Sequence, residues 1–155
     1  MKKITLILSV IAAVITLSCS KESAPGIAGK WHFYTEGAKG NGTTIVWAAN
    51  TEDACEAQSF FQLNADGSTY NESYNTNPVT SVCELYDDSQ SPFTQTWRKE
   101  GNDLIVTLID NSVSPPISSD SKAKIYSLSS SELIVQGYNQ AGTTLIDEYT
   151  KLIRK

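Results

Sequence analysis

Apolar positions fall into two regimes along the chain. From Ile4 to Leu17 they are almost continuous, "ITLILSVIAAVITL", directly after the Lys2–Lys3 pair. Beyond Gly26 they come in short segments rich in β-branched and aromatic residues, separated by Gly, Asn, Asp and Ser, a pattern that predicts strands joined by turns. The predicted strands are 30–36, 43–49, 59–64, 68–74, 93–99, 103–109, 122–128, 132–138 and 143–153. Between them lie "AKGNG", "NADG", "KEGN", "SLSSS" and "NQAG", of which Asp66–Gly67 and Glu100–Gly101–Asn102 are short enough for hairpins. After the leader no long window carries apolar residues at helical spacing; the short stretch 50–58, "NTEDACEAQ", reads equally as a helical turn or as a loop around Cys55. Residues 75–92 and 110–121 are predicted loops, the second barred from a ladder by Pro115 and Pro116.

About eight to nine antiparallel strands joined by short connections predict an all-β fold, an up-and-down barrel whose closure removes exposed sheet edges. Alternation divides each strand into two sets, for example Leu104, Val106 and Leu108 against Ile105, Thr107 and Ile109. Alternation does not say which set turns inward. Because strand 103–109 is apolar on both faces, it is expected to be covered on both, by a loop or by a partner.

The leader has the three-part layout of an export signal, with a basic start, an apolar middle and the small Ser18. Its apolar run of 14 residues is shorter than the ~20 needed to span a bilayer as a helix. Leu17, Ser18 and Cys19 resemble the bacterial lipobox, although the usual Leu position holds Thr16 and the Leu stands one place later. The resemblance implies a signal peptide at 1–18, acylation of Cys19, a flexible tether over 19–27 and a folded domain over 28–155. It implies a lipid anchor in the outer membrane, on the periplasmic face or the cell surface; "CSKE" is similar to the short charged signal of surface-displayed lipoproteins. With Cys19 so used, Cys55 and Cys83 remain as an even pair in an oxidising compartment, and a disulfide between them is expected.

Gly29-Lys30-Trp31 at the head of the first strand resembles the Gly-x-Trp opening of lipocalins, a fold signature in which the Trp packs across the barrel base. Cys55 before "SFFQLNADGS", Trp97 in "WRKEGNDLIVTL" and then "IYSLSSSELIVQG" look like the lipocalin-like domain of bacterial lipoproteins. That resemblance implies binding of a small hydrophobic molecule in the barrel without catalysis. Tyr34, Trp47, Phe61, Tyr70 and Tyr126 are the candidate pocket residues, each equally good as core. The alternative is a structural or accessory envelope protein with a filled barrel that acts through protein–protein contacts.

Charge narrows the partners further. The chain after residue 18 carries 10 basic and 17 acidic residues, net −7, and lacks the basic clusters that nucleic acid demands. His32 is the one histidine, so neither a Ser nor a Cys triad can be assembled, no catalytic residue is assigned, and His32 is expected at the surface or rim. Glu52, Asp53, Asp87 and Asp88 flank the two cysteines and would be the only plausible calcium ligands, but solvated loop acids explain them, and no metal or cofactor is expected. If acyl-Cys19 is the anchor, Cys19→Ala moves the protein from the membrane pellet to the soluble fraction; a variant that still sediments contradicts it.

Overall fold

The computed structural model describes residues 26–50, 53–86 and 91–154; the leader, Cys19, the tether to residue 25 and the acids Glu52, Asp87 and Asp88 lie outside the described residues. The domain is one antiparallel ten-stranded sheet: β1 (Gly29–Ala38), β2 (Val46–Trp47), β3 (Phe60–Leu63), β4 (Thr69–Thr76), β5 (Cys83–Tyr86), β6 (Phe93–Glu100), β7 (Asp103–Asp110), β8 (Ile117–Leu128), β9 (Glu132–Tyr138) and β10 (Leu145–Ile153). A 3₁₀ turn over Glu56–Gln58 precedes β3.

The strand order is β5-β4-β3-β1-β10-β9-β8-β7-β6, with β2 paired to β1 as a side branch. The first and last long strands are therefore partners, His32 opposite Ile153 and Gly37 opposite Tyr149. Everything from β6 to β10 is a meander. The expected closed ring is corrected by this topology. The sheet curls round, but among the described residues β5 and β6 share no ladder, and the only bridge across the break joins Ser68 to Thr96.

Three predicted boundaries also change. The 43–49 segment keeps only Val46–Trp47 as strand, paired with Gly37 and Ala38 of β1, and a Cβ on Gly37 would sit 2.7 Å from Cε3 of Trp47. Within the predicted loop 75–92, Cys83–Tyr86 forms β5 on the free edge of β4. Pro115 and Pro116 do end pairing, yet Ile117–Ser121 rejoin the sheet at once and extend β8 along β7 as far as Asp110. Within the 50–58 segment Asp53 organises the start of the turn: its carboxylate accepts from the backbone N–H groups of Cys55 (2.7 Å) and Glu56 (2.8 Å) and from the Thr76 hydroxyl (3.2 Å).

The core answers which face points inward. Trp31, Leu63, Leu104, Leu133, Val135 and Leu152 pack with Phe61, Trp97, Val106 and Ile125 in one cluster. The inner set of β7 is thus Leu104, Val106 and Leu108. Its opposite face is covered without a partner. Ile105 is buried although it faces out, and it stands directly between Arg98 of β6 and Lys122 of β8. Long cationic side chains on a sheet surface shield apolar neighbours with their stems. The Arg98 guanidinium is held there by Glu100 (2.7 Å), Asp120 (2.8 Å) and the Thr107 hydroxyl (2.9 Å).

Trp31 plugs one end of the curled sheet. It is fully buried, its indole N–H donates to the carbonyl of Ile27 at 2.8 Å, and the Arg154 guanidinium carbon lies 4.4 Å from its ring centre. Arg154 Nη2 also donates to the carbonyls of Gly26 (2.8 Å) and Ala28 (3.0 Å). Gly29 has φ +147°, and a Cβ there would come within 3.0 Å of that same guanidinium. Truncating a buried Trp costs roughly 3–5 kcal/mol. Trp31→Ala is therefore expected to lower unfolding free energy by about that amount in urea titration, and a loss below about 1 kcal/mol would contradict the plug.

Candidate functional site

Where the ring fails to close, it leaves a cleft. Near the plug, β4 and β6 are held together: the Trp97 N–H donates to the Gly67 carbonyl (2.7 Å), the Trp97 indole to the Asn64 carbonyl (2.7 Å), and the Thr69 hydroxyl to the Gln95 carbonyl (3.2 Å). Further along, the strands part. β4 turns its free edge to β5, with Ser73 opposite Tyr86 and Thr76 opposite Cys83. A Cys55–Cys83 disulfide, with Cα atoms 5.4 Å apart, ties the start of β5 to the turn before β3. It closes a loop of 28 residues, which on the chain-entropy model contributes roughly 3–4 kcal/mol.

The wedge between β4–β5 and β6 has a volume of about 760 Å³ and is open to solvent. Its apolar surface comes from Leu85 and Tyr86 of β5, Phe93 of β6 and Leu108 of β7. Inward-facing Thr69, Asn71 and Ser73 of β4 and Gln95 of β6 supply neutral hydrogen-bonding groups. Leu108 belongs to the inner set of β7 four residues beyond core Leu104, so the cleft floor lies about 13 Å from the plug end along the strand.

Tyr70 and Glu72 alternate with Thr69, Asn71 and Ser73 and stand on the outer face of β4, opposite Gln62 and Phe60, with the Tyr70 and Phe60 ring centres 5.9 Å apart. The Glu72 carboxylate accepts from the Tyr70 phenol at 2.7 Å and the Tyr74 phenol at 3.1 Å. The Tyr70 hydrogen bond, helped by Tyr74 and the charge of Lys30, holds the Glu72 carboxyl below its ordinary range. Both phenols are pushed up, chiefly by donating to that carboxylate. Glu72 is therefore anionic at neutral pH.

Of the five candidate pocket aromatics, Tyr70 alone lies on a strand bordering the cleft, and its ring packs against Phe60 on the outer face of β4. Phe61 packs against the core instead. Tyr34 borders a separate hollow of about 150 Å³ with Phe33, Thr35 and Ala48. Trp47 and Tyr126 lie under cations, the Lys151 ammonium 4.4 Å from the Trp47 ring centre and the Lys39 ammonium 4.6 Å from that of Tyr126. Tyr126 also meets Tyr149 edge-on at 5.2 Å. His32 corrects its expected rim position. It is buried beside Phe60, ring centres 6.0 Å apart, because β1 runs between β3 and β10.

Sequence reasoning missed Leu85, Tyr86, Asn71, Phe93, Gln95 and Leu108. The usable signal was Leu108, which alternation places with Leu104 and Val106. Leu85 and Tyr86 carried none, since they sit in a segment read as loop.

An antiparallel meander curled about a buried Trp at one end, with a ligand-sized opening toward the other, defines a calyx-type β protein. A family model, the lipocalin-like domain, matches residues 27–135, and the chain belongs to that family. No curated protein and no solved structure matches the chain.

The depressed Glu72 pKa has a stability consequence with a definite sign. A carboxyl whose folded pKa lies below its unfolded value stabilises above the unfolded value, and the contribution is lost as pH falls through the folded one. An NMR titration of the Glu72 carboxyl is expected to show a midpoint below that of an ordinary glutamate, and Tyr70→Phe should raise it. An unchanged midpoint in the variant would contradict the phenol–carboxylate bond.

Proposed function

We propose that this is a lipid-anchored envelope protein that binds a small hydrophobic ligand, without catalysis, in the cleft between β4–β5 and β6. The observation that carries the reading is the cleft itself. Its volume of about 760 Å³ falls within the range of ~300–1,000 Å³ typical of small-molecule sites. Apolar side chains with a few convergent polar groups form its lining, the composition such sites share. Membership of the lipocalin-like family supports the same reading, since small β barrels hold one small ligand in the mouth.

A binding rather than catalytic role rests on the residues at hand. The inward-facing lining offers hydroxyls and amides, and the chain's single histidine is not among the lining residues. The anchor and the outer-membrane location rest on the leader and Cys19, so the domain would work tethered within a short reach of the lipid surface.

A second reading has its own observation. Val79, Val82, Leu85, Tyr86, Phe93 and Ile117 are all large apolar residues exposed to solvent, three of them on or beside the β5 edge. An accessory protein that docks an envelope partner there would also use them.

A neutral fluorescent apolar probe such as N-phenylnaphthylamine discriminates the two. The carrier reading expects saturable one-site binding, weakened at least about tenfold by Ser73→Trp, which fills the cleft, with an unchanged far-UV circular dichroism spectrum. Absence of saturable binding would defeat the carrier reading and leave the docking one.

A further inference from the structure

We propose that the cleft takes an uncharged amphiphile with a hydroxyl-rich head group, such as a sugar-headed lipid, and that Asn71, Ser73 and Gln95 recognise the head. This rests on the carrier reading above and names the ligand class for the same site.

Strand register decides which side chains can do so. Thr69 and Asn71 stand opposite Leu63 and Phe61, which belong to the core cluster, so they turn inward. Ser73, two residues further on, turns inward with its partner Tyr86. On the other wall Gln95 stands opposite Leu108, with Phe93 on the same side, and Leu108 in turn stands opposite Ser119 of β8. Among the described lining residues no carboxylate, ammonium or guanidinium belongs to this inward set. Glu72 faces the other way, bound to Tyr70 and Tyr74.

Hydrogen-bonding capacity differs between the two faces of the sheet. Outside, polar side chains satisfy one another: Asp120 takes Arg98 and Thr107, and Asp103 takes Lys122 and Tyr138. Inside, the Thr69 hydroxyl donates to the Gln95 carbonyl. The side chains of Asn71, Ser73, Gln95 and Ser119, by contrast, have no hydrogen-bond partner among the described residues. Amides and hydroxyls therefore stand uncommitted around the apolar floor at Leu108. Each of them can both donate and accept, as a sugar hydroxyl does, whereas an ammonium only donates and a carboxylate only accepts. An ion entering the cleft would lose water and meet no opposite charge, which is costly. Phe93 and Leu108 supply apolar surface for a tail, and the Tyr86 ring beside Ser73 offers a flat face to the C–H side of a sugar ring.

The test uses four probes with the same eight-carbon tail: octyl glucoside, 1-octanol, octyltrimethylammonium and octanoate. Each is titrated below its micelle concentration against the mature protein at pH 7, by calorimetry and by displacement of the neutral fluorescent probe. Octyl glucoside is expected to bind at least about tenfold more tightly than each of the other three, the scale of two net hydrogen bonds. Asn71→Leu and Gln95→Leu should each weaken the glucoside several-fold and leave octanol no weaker, with the far-UV circular dichroism spectrum unchanged. Glucoside binding no tighter than octanol, or absent while the fluorophore saturates, would overturn the head-group class and leave the carrier reading intact. Either ion binding as tightly as the glucoside would overturn the selection for an uncharged head. Two folded variants that bind the glucoside as tightly as the parent would overturn the assignment to these side chains. If no probe displaces the fluorophore, and the fluorophore itself fails to saturate, the carrier reading falls and this inference with it.

Discussion

The stacking of Arg154 on Trp31 is the contact on which the architecture depends. It joins the first strand of the domain to the last residue described, and the same guanidinium gathers the carbonyls of Gly26 and Ala28. A cation over a buried indole gains from the ring quadrupole and keeps water from the ring edge. Gly29 is required because any side chain there would occupy the space of the guanidinium. With the first and last long strands of the sheet so fastened, β1 and β10 pair, and the sheet acquires the curvature of a barrel.

Once closure is made at β1–β10, the unpaired edges must fall elsewhere. They fall between β5 and β6. Close to the plug, the Trp97 and Thr69 hydrogen bonds hold β4 against β6, but β5 is four residues long and is drawn toward the 3₁₀ turn by its disulfide. The result is a sheet sealed at one end and split at the other. Exposed strand edges invite association, and the split is also where neutral polar groups and apolar side chains face one another. Plug and cleft are two outcomes of one topology.

Much of this was legible in the residues. Strand existence followed from β-branched and aromatic segments, and Gly29 and Trp31 announced the plug. The pairing of Cys55 with Cys83 followed once Cys19 was set aside for acylation, and the structure contains that disulfide. The face each strand turns inward was not legible, because period-two alternation is symmetric between faces. Bulges add to the difficulty: register shifts between Phe33 and Thr35, Ile125 and Ser127, and Leu145 and Tyr149 change the parity within a strand. Tyr34 and Tyr126 sit at two of these shifts, and they lie outside the cleft because β1 and β8 do not border the β5–β6 break. β5 was invisible because "CELY" is too short to show a period, and its place comes from the edge of β4 and a covalent bond.

Native-state amide hydrogen exchange tests the split-barrel account most directly. Amides in the β1–β10 ladder, around Trp31 and Leu152, should exchange only through global unfolding. Those of β5 and of β6 near Phe93 that face the cleft should exchange orders of magnitude faster through local fluctuation. Equal protection on both sides of the β5–β6 break would mean that the ring is closed in solution, and the account of the cleft would be wrong.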